Sequence, residues 1–226
     1  MSGPLPLDAL IDRRDAAWPA LRDALAGAAW PVQLLPATPA DADRTLLALQ
    51  VSTRTLLGTV AHRTGGILVD GGWLRILGSG HPRLPGSLAD WNGLGRGVRM
   101  VAGALVVAHD AVGGLFAVNA GGLPGDEGAV SYFSPELRAW EEISPSYVDF
   151  LGFALDGDLP SLANPLRWPD WEDDVAALHG DQGVLFWPPP WYGPGWDAAD
   201  AERTVLPIQE VVQRVFTGAP PDRAAH

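Results

Sequence analysis

Between Leu57 and Ser134 the chain offers one β-rich run after another, with glycine-rich turns and no span long enough for a crossover helix. The runs are "LGTVAHR", "GILVDGGWLRIL", "VRMVAGALVVAHD", "GLFAVN" and "AVSYFS". Parallel strands need a connection of a dozen or more residues, so this span dictates antiparallel pairing. "HDAVGGLFAVN" reads as a hairpin with its turn at Asp110 to Gly114, and "LRAWEEI" reads as a further strand.

Helical spacing surrounds this span. "LDALIDRRDAAWPALRDALAGA" is broken or restarted at Trp18-Pro19, "VQLLP" is a short strand, and "TPADADRTLLALQ" is a helix capped by Thr38. After the strands, "SPSYVDFLGFALDGD" starts at Ser144 or Ser146 and stops at Gly157. In "WPDWEDDVAALHGDQG", Trp168, Trp171, Val175 and Leu178 make one stripe. "GVLFW" is a strand, "PPPWYGPGW" an extended proline segment, and "LPIQEVVQRVF" a last helix. The expectation is a single α+β domain over 1–217, with a central, mostly antiparallel sheet of about five to seven strands between N- and C-terminal helices. It divides into a helical segment 1–50, a sheet core 51–143 and a helical segment 144–217, with a flexible tail at 218–226.

Composition excludes several functions. There is no cysteine, hence no disulfide, no thiolate nucleophile and no sulfur-ligated zinc. The five histidines, at 62, 81, 109, 179 and 226, lack metal-ligand spacing, and neither a metal nor a cofactor is expected. All 15 basic residues are arginine, scattered among 27 acids for a net charge of −12. Such a surface repels nucleic acid and attracts a basic protein partner. The longest apolar run, "MVAGALVVA", is too short to span a bilayer, and charges interrupt the start where a signal peptide needs an apolar core. A soluble cytoplasmic protein with no membrane contact is expected.

The most site-like stretch is "ILGSGHPRLPGSL", Ile76 to Leu88. It lacks the third glycine of a dinucleotide fingerprint and the lysine of a P-loop, and Pro82 removes an amide. No serine sits in a Gly-x-Ser-x-Gly elbow. A Ser79, His81, Asp90 triad can be drawn, but sequence proximity is not geometry; a turn leading into a short helix at "LADWN" is preferred. His109 and Asp110 point to opposite faces of a strand, so Asp110 is assigned to the amides of the hairpin turn. Asp170, Glu172, Asp173 and Asp174 are assigned to a solvated helix face.

Two surfaces remain. A cleft at the sheet's turn end would be lined by Trp73, Arg75, His81, Arg83, Trp91, Asp110 and Asn119, with arginines for an anion and tryptophans for a ring. The stiff strip "FWPPPWYGPGW" brings Trp187, Trp191, Tyr192 and Trp196, which either dock a partner or cover the sheet. Covering is the expected role, and the strip remains the best candidate binding surface.

"LLALQVSTRTLLGTVAHRTGGILVDGGWLRILGSG", "LPGSLADWN", "DAVGGLFAVNAGGL", "SYFSPELRAWEEISPSYVDFLGFALDGDL" and "LRWPDWEDDVAALHGDQGVLFWPP" together resemble a bacterial family, domain-of-unknown-function family 2625. That family has no established reaction, so the resemblance supplies no catalytic residue. "GGLFAVN" followed by "VSYFSPELRAWEEISPSYVDFL" also resembles the SUKH superfamily of α+β proteins, many of them immunity proteins against bacterial toxins. The acidic charge, the absent catalytic motifs and the SUKH-like segment together point to a non-enzymatic protein-binding domain, with an acidic immunity-type protein that binds a basic toxin as the narrower form. The alternative is a small-molecule-binding protein or hydrolase using the Trp/Arg/His cleft.

Overall fold

Strands that read as unbroken apolar runs must be covered on both faces, and here helices do so although among the described residues no pair of strands is parallel. A computed structural model describes residues 3–15, 17–94, 100–157 and 159–219. In chain order the elements are α1 Leu7–Leu10, α2 Ala17–Ala26, β1 Val32–Pro36, α3 Pro39–Leu49, α4 Leu56–Arg63, β2 Thr64–Val69 and β3 Leu74–Leu77. There follow α5 Leu88–Trp91, β4 Ala104–Asp110, β5 Leu115–Asn119, β6 Val130–Phe133, β7 Trp140–Ser144 and α6 Tyr147–Asp156. The chain closes with α7 Leu159–Ala163, α8 Trp171–Ala177, β8 Gln182–Trp187, β9 Glu202–Pro207 and α9 Ile208–Thr217.

Strands β1 to β7 form one antiparallel sheet in sequence order, so the α+β expectation holds. One face meets α2, α4, α6 and α7: Leu21, Val60, Phe150, Leu155 and Leu159 close over Ile67, Val69, Leu74, Phe116 and Tyr132. The other face meets α5, α9 and β8 through Leu88, Trp91, Val211, Val215 and Leu185. Each such fully buried side chain contributes about 1.5–3 kcal/mol. At the end of the sheet a third cluster joins Trp73, Ala111 and Val112 to Trp168, Val175, Val184 and Phe186.

The local signals work where they are self-contained. Thr38 caps α3 by accepting from the Asp41 amide at 3.3 Å, and Ser146 caps α6 through the Asp149 amide at 3.2 Å. Ser87 and Asp90 form a full capping box on α5.

Four expectations are corrected. "LGTVAHR" is helix α4, because Thr55 accepts from the Gly58 amide at 3.1 Å and the apolar face has a sheet to bury against. Strand β9 was not anticipated; it pairs with β8 from Gln182–Pro207 to Trp187–Glu202. Pro190–Tyr192 is a turn of 3-10 helix, closed by the Tyr192 amide on the Pro189 carbonyl at 3.1 Å, so the proline segment is not extended throughout. Gly218, placed in the tail, instead ends α9 in a left-handed conformation, and its amide donates to Arg214 O at 2.8 Å. Val98 and Arg99 of the third run and residues 220–226 of the tail lie outside the described residues.

Candidate functional site

The chemistry-bearing residues of the sheet converge on the β4–β5 hairpin. Asp110 is buried there, and its Oδ1 accepts from the amides of Val112 at 2.9 Å and Gly114 at 2.7 Å. The Tyr132 hydroxyl donates to Oδ2 at 2.8 Å. Burial pushes the Asp110 carboxyl above its usual range, and these hydrogen bonds oppose that shift. A Cβ on Gly114 would lie 2.1 Å from Oδ2, so the turn requires glycine. The void beside this node is too narrow for a water molecule. Asp110 therefore ties a turn, as the sequence implied.

The opposite face carries His109 and Arg75, which are register partners on β4 and β3. His109 stacks on Trp91 with ring centres 4.7 Å apart, and its Nδ1 lies 3.1 Å from the Asp110 carbonyl. Burial, with Arg75 nearby, pulls its pKa down to about 3, so it is a neutral core imidazole. Arg75 donates Nε to Gly72 O at 3.0 Å and Nη1 to Gly180 O at 3.1 Å and Gln182 O at 2.5 Å. Desolvation lowers its pKa to about 10, which leaves it charged at neutral pH. It staples the sheet to the segment that leads into β8.

The expected seven-residue cleft does not form. Trp73 is buried against Trp168 and Trp171, and Trp91 is buried on the α5 face. Asn119 organises the β5–β6 loop, accepting from the amides of Gly121 and Leu123 and donating to three carbonyls. His81 Nδ1 accepts from the Arg83 amide at 3.1 Å, and Arg83 reaches Gln33 Oε1 at 2.6 Å. The drawn triad is apart as well: Ser79 donates to Thr64 O, while Asp90 is spent on capping. Arg75, Asp110 and Asn119 are spent on backbone groups in different places, Arg83 reaches Gln33, and Trp73 and Trp91 pack in separate apolar clusters, so the seven do not line one open cleft.

The aromatic strip mostly covers. Trp196 donates to Pro188 O at 2.8 Å and sets its edge on Phe186, and Trp187 meets Tyr192. Trp191 is half-buried under Arg138, whereas Tyr192 is 61% exposed.

A different cleft lies between the start of β1, the β2–β3 turn and α8. Asp70, Gly71 and Gly72 are three consecutive left-handed residues, with φ of 54°, 66° and 96°. The Asp70 amide donates to Pro31 O at 2.8 Å, and its carboxylate binds Arg167. The Arg167 guanidinium lies 3.9 Å from the Trp171 ring centre and 5.0 Å from that of Trp73. Partial burial lowers its pKa, and the Asp70 charge opposes that effect. Trp30 and Pro31 form the facing wall, Glu172, Asp173 and Ala176 the rim, and the cleft encloses about 460 Å³. A second hollow of about 270 Å³ shares Pro31, Gly71 and Ala176 with it and ends at Gln33 and Arg83.

No residue of this cleft, and of the adjoining hollow only Arg83, stood among the sequence candidates. The missed signals were the Asp-Gly-Gly after a strand and the four-residue spacing of Arg167 and Trp171. Among the described residues no three His, Asp or Glu side chains come together as metal ligands, and no helix is long and apolar enough to cross a membrane.

Comparison of the sequence with known proteins gives the chain a family. The family model "Protein of unknown function DUF2625" matches residues 7–211. The "Putative uncharacterized protein YbfG" of Escherichia coli (strain K12) is 38% identical over 187 residues, covering 82% of this chain and 85% of that one. An "Uncharacterized protein" of Haemophilus influenzae is 35% identical over 188 residues, covering 80% and 81%. No solved structure matches. The chain belongs to the DUF2625 family of proteins of unknown function.

Proposed function

We propose that this protein is a non-enzymatic binding domain whose partner is a basic protein, with an immunity-type role against a basic toxin as the narrower form. The observation that carries the reading is a division of labour between charged groups. Arg75, His109, Asp110 and Tyr132, the groups best suited to chemistry, are buried and tied to backbone or to one another. Two acids of α8, Glu172 and Asp173, instead face solvent beside an open cleft, on a chain of net charge −12. Such a surface steers a basic protein toward it and repels nucleic acid. The cysteine-free composition fits action in a reducing cytoplasm. For a small-molecule ligand, the alternative, the cleft at Trp30 and Trp171 offers aromatic walls that the seven expected residues do not assemble.

The test is capture from a lysate of the native host on the full-length protein, followed by a salt gradient. A basic protein, retained at low ionic strength and released as charges are screened, is the expected result. Recovery of a metabolite with no protein would overturn the reading. For the narrower form, the captured partner must inhibit growth when expressed alone and lose that effect when co-expressed with this chain.

A further inference from the structure

We propose that the cleft between Trp30 and α8 is the point at which the basic partner inserts an arginine side chain. This assignment rests on the protein-binding reading and gives it a contact point.

Aromatic walls come first. Trp30 and Trp171 line the space, Arg167 already lying over the Trp171 ring, and an indole face is the best side-chain surface for a cation. Charge balance comes second: three carboxylates, Asp70, Glu172 and Asp173, line the cleft against one guanidinium, that of Arg167. Asp70 is ion-paired with Arg167 and the exposed Glu172 adds its charge beside that guanidinium, without a hydrogen bond, whereas the exposed Asp173 carboxylate has no hydrogen-bonding partner among the described residues. Thirdly, the fold already performs this recognition once, since Arg167 lies over Trp171 with a carboxylate at its end.

The floor is open because Gly71 carries no side chain, and a Cβ there would meet nothing within 4 Å. A planar guanidinium both stacks on indole and forks onto carboxylate, so it suits these walls better than a compact, strongly hydrated ammonium. The adjoining hollow ends at Arg83, opposite in sign to the α8 rim. An occupying segment therefore lies with its arginine at α8 and a carbonyl or carboxylate toward Arg83.

The test uses the full chain at physiological ionic strength, with capped arginine amide as the probe and indole N–H resonances as the readout. Trp30 and Trp171 are expected to shift with the arginine probe and not with its citrulline counterpart. Glu172→Gln with Asp173→Asn should weaken the response about five-fold, as loss of rim carboxylates predicts. Glu127→Gln in the β5–β6 loop with Glu141→Gln on the far edge strand β7, the latter roughly 30 Å from β1 by strand spacing, removes the same charge away from the cleft and should leave the response unchanged. Equal loss in both double variants, an equal response to citrulline or to capped lysine, or no shift at either indole would each overturn the site. Tighter binding of free arginine than of the capped amide would make it a small-molecule site and overturn the docking. Lysate capture separates the two levels. A partner held equally by wild type and by the α8 variant refutes this site alone, whereas no partner on wild type refutes the protein-binding reading.

Discussion

Every residue of β2 is buried, whereas no residue of β9 is. Both belong to antiparallel ladders, so the difference lies in what covers them. The seven-stranded sheet has helices on both faces, and polar groups that enter it must be satisfied inside it. The β8–β9 pair leans on the end of that sheet through the third apolar cluster, the Arg75 staple and the Val184 amide on Ala111 O at 2.8 Å. The sheet is the stable body, and the module of α8, β8 and β9 is the more easily loosened part that frames the cleft.

The largest effect that would break this contrast concerns His109. Its pKa is about 3 in the fold against an ordinary 6.5, so between those values the unfolded chain binds the extra proton. Stability is complete above pH 6.5 and falls as pH drops toward 3, by a loss on the order of 4 kcal/mol. Asp110 acts in the opposite direction: its raised pKa makes stability decline as pH rises through the carboxylate range. His109→Phe should flatten the acid limb of a urea-midpoint-against-pH curve, and an unchanged limb would refute the assignment. Next, Asp110→Ala strands two amides and a hydroxyl in the core, at a cost of about 3 kcal/mol, and should lower the midpoint of the whole sheet in one transition. Tyr132→Phe, which removes one hydrogen bond from the same node, should cost about 1 kcal/mol.

Arg75→Met sharpens the contrast. It leaves three carbonyls unpaired at about 2 kcal/mol. Hydrogen exchange should quicken in 182–187 while β2 and β5 stay protected; equal quickening in both would show that sheet and module unfold as one unit. The smallest effect is that of Glu172→Gln with Asp173→Asn, expected within about 0.5 kcal/mol of wild type in thermal unfolding. A larger loss would mean that these exposed acids hold the module together.

Much of the sheet was legible because its cues act over a few residues. Asp110 bonds amides two and four positions away, and Thr38, Ser87 and Ser146 each cap the amide three positions on. "LGTVAHR" misled because its β-branched residues favour a strand in isolation. The Thr55 cap, together with the surface that α4 buries on the sheet, decides for helix. The seven candidate site residues were the right types to notice, since Trp73, Arg75, Trp91, Asp110 and Asn119 are all buried; the sequence could not tell that each serves a different local task.

The sequence by itself determined the antiparallel pairing of the sheet, its hairpin, the caps at Thr38 and Ser146 and the absence of familiar catalytic motifs. All of these follow from periodicity and from hydrogen bonds that close within a turn. Only the tertiary structure decided where a cleft lies. Trp30, Asp70 and Arg167 come from distant parts of the chain, and Arg167 pairs with a carboxylate 97 positions away. Their meeting depends on how helices and hairpin bury their apolar faces against one sheet, a long-range outcome that no short window of residues encodes.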